Sequence, residues 1–126
     1  MKHPIVPTGY QAVMPYLIIK DAAGFIEYAK EVFGATEKSR QMRDENIIVH
    51  AQILIGESVI MVSDAIDPCT INNAGIFVYV ENADKAYHKA IELGSESLME
   101  PADMPYGRSS GVKDPYGNTW WPTHEI

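Results

Sequence analysis

The clearest structural pattern in the chain lies at residues 111–124, which read GVKDPYGNTWWPTH. The Asp-Pro-Tyr-Gly run inside it is turn chemistry, because Pro115 presets φ at the second turn position and Gly117 accepts a positive φ without a Cβ clash. Apolar residues on both sides of the turn predict two antiparallel strands. The pattern therefore indicates a β-hairpin that closes the domain.

Composition and charge narrow the class of protein. A chain of 126 residues, 46% of them apolar and 21% charged, has the size and composition of a single globular domain. The net charge of −7 disfavours nucleic acid as a partner, since a phosphate backbone needs a basic surface. No apolar run approaches the ~20 residues that span a bilayer, so no membrane partner is expected. The lone Cys69 and an N-terminus too short and proline-rich for a signal peptide predict a cytoplasmic protein.

The first half of the chain predicts a strand, a helix and three further strands. Residues 1–12 predict an irregular arm, because they contain two prolines and a glycine. A helix is predicted between the capping residue Asp21 and the terminating Gly34. Strands are predicted over residues 13–20, 36–43, 47–55 and 59–63. In the third strand we expect one apolar face on the helix, formed by Val49, Ala51, Ile53 and Ile55.

The second half repeats this pattern after a linker at residues 65–74. A strand at residues 75–80 precedes a helix that is capped by Asn82 and ends at Gly94. Further strands are predicted near residues 95–100, 108–113 and 118–123, and a loop containing Pro101, Pro105 and Gly107 should interrupt them. A shift of sixty residues places Gly34 on Gly94. The repeat predicts one domain over residues 1–126, with βαβββ modules at 13–64 and 75–124.

Several motifs, together with this repeat, resemble the glyoxalase/bleomycin-resistance/extradiol-dioxygenase proteins, the vicinal-oxygen-chelate superfamily. They are MPYL at residues 14–17, AGFIEY at 23–28, VFGA at 32–35 and the closing DPYG at 114–117. The resemblance covers about residues 13–124. It implies an α+β fold of two paired βαβββ modules, whose curved mixed sheets carry helices on the convex side and form a concave groove. It also implies a homodimer, since relatives complete their grooves across a two-fold axis or by swapping modules.

The resemblance also implies where a metal would be bound. Metal-dependent members carry His or Glu on the first and fourth strands of each module, and the matching positions here are Met14, Met61, Gly75 and Trp121. The internal repeat instead pairs Met14 with Ala74, so the register of the fifth strand stays open. None of these residues offers the imidazole or carboxylate that Ni, Zn, Mn or Fe ions need. The chain thus resembles a glyoxalase-like branch without the usual metal ligands, and we predict no metal and no other cofactor.

Strand alternation predicts the lining of the groove. The expected ligand contacts are Met14, Tyr16, His50, Gln52, Met61, Phe77, Tyr79 and Trp121, with Arg108 and Tyr106 gating the opening and Ile18, Val59, Ser63, Thr119 and Thr123 beside them. A surface of Met, Tyr, Phe and Trp with one His suits an apolar or aromatic small molecule. The alternative is that these side chains fill the groove as a second core.

Three functional hypotheses follow. The favoured one is a metal-independent small-molecule-binding protein of the bleomycin-resistance kind, which holds an aromatic or cationic compound without chemistry; the acidic charge fits a cation. The second is an enzyme, a lyase, isomerase or dioxygenase relative of glyoxalase I, that uses an unrecognised metal site or acid–base catalysis by His50. The third is a small-molecule sensor or accessory subunit. Cys69 has no His nearby in sequence, and Asp64 and Asp67 fit turns better than an acid–base pair.

Overall fold

A computed structural model describes residues 2–126 of the chain. Within these residues eight strands and two α-helices follow one another, with a short 3-10 helix at Pro68–Thr70 in the connection between the modules. The elements are β1 (Tyr16–Ile19), α1 (Ala22–Phe33), β2 (Thr36–Met42), β3 (Ile48–Ile55), β4 (Ser58–Asp64), β5 (Gly75–Tyr79), α2 (Ala83–Glu92), β6 (Glu96–Met104), β7 (Gly107–Lys113) and β8 (Thr119–His124).

The strands form two four-stranded sheets with the same topology. The first has the order β1-β4-β3-β2 and the second the order β5-β8-β7-β6. In each sheet the first strand runs parallel to the fourth, and all other neighbours are antiparallel. One helix connects the first strand of each sheet to the second. The predicted α+β fold of two βαβββ modules is confirmed.

The two modules share one hydrophobic core, which lies on their helix-bearing faces. Trp120 of β8 is fully buried, although α1 of the other module supplies much of its surroundings. The ring centroid of Phe33 lies 4.3 Å from that of Trp120, and the ring of Phe25 stacks on it at 6.2 Å. The Tyr28 hydroxyl also hydrogen-bonds Ser95 of the second module at 2.7 Å. Because helix-bearing faces meet in the core, the opposite, concave face of each sheet remains outside it.

Asp114 organises the predicted closing hairpin. Its carboxylate is 4% exposed and accepts hydrogen bonds from the backbone N–H groups of Tyr116 and Asn118, at 2.8 and 2.9 Å. The indole Nε1 of Trp120 donates to the same carboxylate at 2.8 Å. Gly117 has a φ of 95°, in the region that favours glycine. A single buried carboxylate therefore ties the turn to the largest side chain of the core.

Three elements depart from the sequence prediction. β1 is shorter than residues 13–20, since it begins only after Pro15. The loop predicted through Pro101 is wrong: β6 continues to Met104, and the turn that follows is only two residues long. β6 is an edge strand, where the missing N–H of Pro101 is tolerated, and register irregularities on both sides of Met99 absorb the remaining distortion.

The third departure is the alternation at the start of β3. Ile48 is 1% exposed and Val49 is 39% exposed, the reverse of the prediction. In the pairing with β2, Gln41 lies opposite His50 while Met42 lies opposite Ile48, so Val49 is the extra residue of a β-bulge. The bulge turns Ile48 into the core. Beyond it the expected alternation holds.

Candidate functional site

Four of the predicted ligand contacts meet on the concave face of the first sheet. Met61 of β4 lies in register with Tyr16 on one side and Gln52 on the other. His50 precedes Gln52 by two residues and therefore shares its face, and the rings of His50 and Tyr16 are 5.5 Å apart. We call Tyr16, His50, Gln52 and Met61 the first-sheet cluster. Met14 lies just before β1 and is half-buried.

Hydrogen bonds connect the polar members of this cluster. Gln52 Nε2 lies 3.2 Å from His50 Nε2, and His50 Nδ1 lies 3.3 Å from the Tyr16 hydroxyl. The hydroxyl of Tyr10 donates to Gln52 Oε1 at 2.7 Å. Both ring nitrogens of His50 are thus engaged by neutral partners. This arrangement orients the imidazole, and it supplies no carboxylate that would support acid–base catalysis.

The N-terminal arm contributes contacts that the sequence did not predict. Gln11 Nε2 donates to the carbonyl of Val59 at 2.8 Å, and the Val59 N–H donates back to Gln11 Oε1 at 3.2 Å. Lys38 Nζ lies 4.0 Å above the Tyr10 ring. Val59, which we expected to line the groove, is fully buried at this point. The arm is irregular as predicted, but a segment without helix or strand periodicity gives no indication of which part of the fold it will contact.

The remaining aromatic residues lie on the concave face of the second sheet. Phe77 of β5 is in register with Trp121 of β8, and its ring lies 5.4 Å from that of Tyr79 and 6.0 Å from that of Tyr106. The half-buried ring of Trp121 crosses Gly111 so closely that a Cβ on Gly111 would collide with it. We call Phe77, Tyr79, Tyr106 and Trp121 the second-sheet cluster. Gly111 has no side chain and therefore leaves room for the Trp121 ring, a role that the sequence did not reveal.

Arg108 does not belong to either cluster. Its Nε and Nη2 atoms each lie 2.9 Å from a carboxylate oxygen of Asp84 on α2, and its Nη1 atom lies 3.2 Å from Asp103. The guanidinium is therefore on the helix-bearing side of the sheet, and the expectation that it gates the groove does not match this position. The hydrogen bond to Asp84 raises the pKa of Arg108, and the same bond lowers the pKa of Asp84.

Two hydroxyl residues expected in the lining are buried instead of exposed to the groove. Ser63 is 8% exposed and Thr123 is fully buried. The Thr123 hydroxyl forms a hydrogen bond with Ser109 at 2.8 Å. Because neither side chain is accessible, the exposed concave surface is more aromatic than the sequence predicted.

Among residues 2–126 the two clusters remain separate groups. The sheets share no strand pair in the described chain, and none of its aromatic ring contacts joins one cluster to the other. The structure thus arranges the predicted contacts in two separate groups, one on each sheet. A cavity of about 480 Å³ borders both modules, with Gln11 and Val59 on one side and Phe77 and Tyr79 on the other, but its lining does not include the first-sheet cluster.

The donor atoms present do not fit the divalent metal that the fold implies. The four matching positions carry two thioethers, a glycine and an indole, at Met14, Met61, Gly75 and Trp121. No group of three His, Cys, Asp or Glu side chains that could hold a metal ion occurs in residues 2–126. No metal-dependent step is therefore assigned.

The other chemical candidates have structural roles. Asp64, predicted in a turn, lies at the end of β4 and accepts from the backbone N–H groups of Ala22 and Ile48 at 2.7 and 2.8 Å. Asp67 caps the 3-10 helix through the N–H of Cys69 at 2.9 Å. Cys69 is a free, exposed thiol. Neither described helix is long and apolar enough to cross a membrane.

Two βαβββ modules with concave sheet faces define the class of glyoxalase-like folds. Sequence comparison agrees with the architecture: the model of the Glyoxalase/Bleomycin resistance protein/Dioxygenase superfamily matches residues 9–121. The chain belongs to this superfamily. An uncharacterized protein of Mycobacterium bovis is 24% identical over 121 residues, which cover 86% of this chain and 80% of that protein.

Solved structures show the same fold. TioX from Micromonospora sp. ML1 is similar with a TM-score of 0.74 and 22% identity, over 92% of this chain and 99% of that one. Protein PA1353 from Pseudomonas aeruginosa gives a TM-score of 0.76 at 19% identity, over 91% and 98% of the two chains. TnmS3 from Streptomyces sp. CB03234, described as an antibiotic binding protein, gives 0.69 at 16% identity, over 93% and 100%.

Proposed function

We propose that this chain is a metal-independent binding protein of the bleomycin-resistance type, which holds an aromatic or cationic small molecule without chemistry. The observation that carries the proposal is the exposure of large aromatic side chains on the concave faces. Tyr16 is 44% exposed, Phe77 50% and Tyr79 68%. The rings of Phe77 and Tyr79 lie 5.4 Å apart, and an exposed apolar patch of this kind marks a binding site. Trp121, held flat over Gly111, adds a stacking surface.

Three further facts support this function. TnmS3, which has the same fold, is an antibiotic binding protein by its description. The net charge of −7 favours cationic ligands by long-range attraction, and aromatic faces bind cations directly. The donor set at the four metal positions supports metal independence, because it contains neither imidazole nor carboxylate.

We further propose that the working unit is a homodimer. Each chain presents two half-sites on separate sheets, and a second copy that places its second-sheet cluster against the first-sheet cluster would close the groove. Sedimentation at micromolar concentration should then give twice the chain mass. The Tyr79→Glu variant should weaken the dimer by about 30-fold or more, since a central aromatic contact contributes ~2 kcal/mol.

Ile66→Glu is the matched control, because Ile66 is 66% exposed in the connection between the modules. This variant should remain dimeric. A monomeric wild-type protein, or a Tyr79→Glu variant as dimeric as wild type, would contradict the proposed assembly.

Ligand binding is tested with 9-fluorenone, a flat neutral aromatic ketone, and with acridine orange, an aromatic cation. Protein dialysed against EDTA should bind at least one of them saturably in equilibrium dialysis, and added Ni²⁺, Zn²⁺, Mn²⁺ or Fe²⁺ should leave the affinity unchanged. Trp121→Ala should weaken this binding by about 30-fold, because a buried aromatic side chain contributes ~2 kcal/mol. Ile66→Ala should have no effect.

Three results would count against the proposal. Failure of both probes to bind would remove its basis, and metal-dependent binding would contradict the metal-independent class. Conversion of a bound compound to product, abolished in His50→Ala while binding persists, would favour the enzyme hypothesis instead.

A further inference from the structure

The hydrogen-bond chain of the first-sheet cluster has a defined direction. Gln52 Oε1 accepts from the Tyr10 hydroxyl, so the amide nitrogen is the atom that faces His50. An amide nitrogen only donates, which makes His50 Nε2 the acceptor. In this tautomer the hydrogen of the imidazole is on Nδ1. His50 Nδ1 therefore donates to the oxygen of the Tyr16 hydroxyl, 3.3 Å away.

This direction leaves a hydrogen-bond donor at the end of the chain. The Tyr16 oxygen already accepts from His50, so its own hydrogen is available to a ligand. The Tyr16 side chain is 44% exposed on the concave face. Hydrogen bonds in a chain polarise one another, which makes a terminal O–H a stronger donor than an isolated phenol. The second amide hydrogen of Gln52 is also a donor. Both hydrogens that this hydrogen-bond chain leaves free, on Tyr16 and Gln52, therefore favour a ligand that carries a hydrogen-bond acceptor.

The neighbour of Tyr16 on β4 offers this donor no strong acceptor. Met61 lies in register beside Tyr16 and offers a thioether, which is only a weak acceptor. We propose that Tyr16 is the specificity-determining residue of the site and that the ligand is an aromatic compound carrying a carbonyl oxygen, which accepts from the Tyr16 hydroxyl. This inference rests on the proposed binding function and narrows it to a chemical class.

Tyr10 acts through Gln52 and is a positioning residue. Its hydroxyl holds the amide oxygen away from His50 and thereby sets the orientation of the whole chain. The arm that carries Tyr10 is fixed by Gln11, which forms two hydrogen bonds with the backbone of Val59. The specificity of the cluster thus depends on an arm that lies outside the βαβββ repeat.

The inference is tested with 9-fluorenone and fluorene. The two probes share one flat tricyclic skeleton and differ in a carbonyl group in place of a methylene group. Wild-type protein should prefer fluorenone by about fivefold, as one net hydrogen bond contributes ~1 kcal/mol. Tyr16→Phe keeps the ring, so fluorene should bind unchanged while the preference disappears. The infrared carbonyl band of bound fluorenone should lie at lower frequency in wild-type protein than in Tyr16→Phe.

Gln52→Glu supplies a second variant that leaves Tyr16 in place. A carboxylate only accepts, so His50 Nε2 must donate to it. At alkaline pH, where the imidazole is neutral beside the carboxylate, Nδ1 then accepts from Tyr16 and turns the hydroxyl hydrogen away from the ligand. The preference for fluorenone should be lost although the hydroxyl remains. A variant that merely loosened the fold would lower the affinity for both probes together.

Each result is decisive. Equal preference for fluorenone in wild-type protein and Tyr16→Phe, with binding intact, would overturn this inference and leave the proposed function standing. A wild-type protein that binds acridine orange but neither fluorenone nor fluorene would do the same. A wild-type protein that binds none of the three compounds would overturn the proposed function and this inference with it.

Discussion

Asp114 shows how much structure one side chain can hold. Its buried carboxylate accepts from two backbone N–H groups of the closing turn and from the indole of Trp120. We expect Asp114→Ala to lower the free energy of unfolding by about 3 kcal/mol, because these donors would be left buried without an acceptor. Urea denaturation followed by fluorescence measures the change.

Asp67→Ala is the matched control for this prediction. Asp67 also accepts a backbone N–H, that of Cys69, but it caps an exposed 3-10 turn. We expect a loss of about 1 kcal/mol or less, typical of an exposed cap. Equal losses in the two variants would show that Asp114 acts as an ordinary turn residue.

Individual residues of the site differ in how far the sequence could place them. Tyr16, Phe77 and Trp121 were placed on concave faces by alternation, and the structure puts them there. Tyr10 and Gly111 were missed for different reasons. The contact of Tyr10 with Gln52 joins residues 42 apart through an irregular arm. Gly111 matters only because Trp121 crosses it, a fact of packing between strands.

At the level of elements, local patterns predicted both α-helices and all eight strands of the described residues but not every face. β3 departs from alternation at Val49 because its pairing with β2 contains a bulge, and register between strands is not a local property. Arg108 was predicted at the start of a strand, next to a loop, and it was expected to gate the groove without being assigned to a face. In β7, Arg108 lies on the same face of the sheet as the buried Val112, and on that face it donates a hydrogen bond to Asp84 of α2.

At the level of the whole molecule, the helices determine how the two clusters are arranged. Helix α1 packs its aromatic residues on Trp120 of the other module, so the core lies between helix-bearing faces. The sequence predicted two modules and a groove. It could not predict that the clusters stay separate within one chain, because each amphipathic helix would suit either sheet equally well.

Tyr28 connects the two modules, and its ionisation should make the whole chain less stable at alkaline pH. Burial raises the pKa of its hydroxyl to about 12, and the hydrogen bond between this hydroxyl and Ser95 opposes the rise. A raised pKa means that the folded state favours the neutral phenol. The resulting stabilisation is complete below pH ~10, the value for an unfolded chain, and is lost as the pH rises towards 12. It amounts to about 2 kcal/mol.

We therefore expect the melting temperature to fall between pH 10 and 12, and to fall less in Tyr28→Phe. At pH 8 the free energy of unfolding of this variant should be about 1 kcal/mol lower than that of the wild-type protein, since the hydrogen bond to Ser95 is absent. Burial also raises the pKa of Tyr116. Its ionisation should account for part of the fall in melting temperature that remains in Tyr28→Phe, and Tyr116→Phe should reduce that part. Because the modules share one core, far-UV circular dichroism and tryptophan fluorescence should report a single transition. Two separated transitions, or an unchanged slope in Tyr28→Phe, would show that the modules are not coupled through this contact.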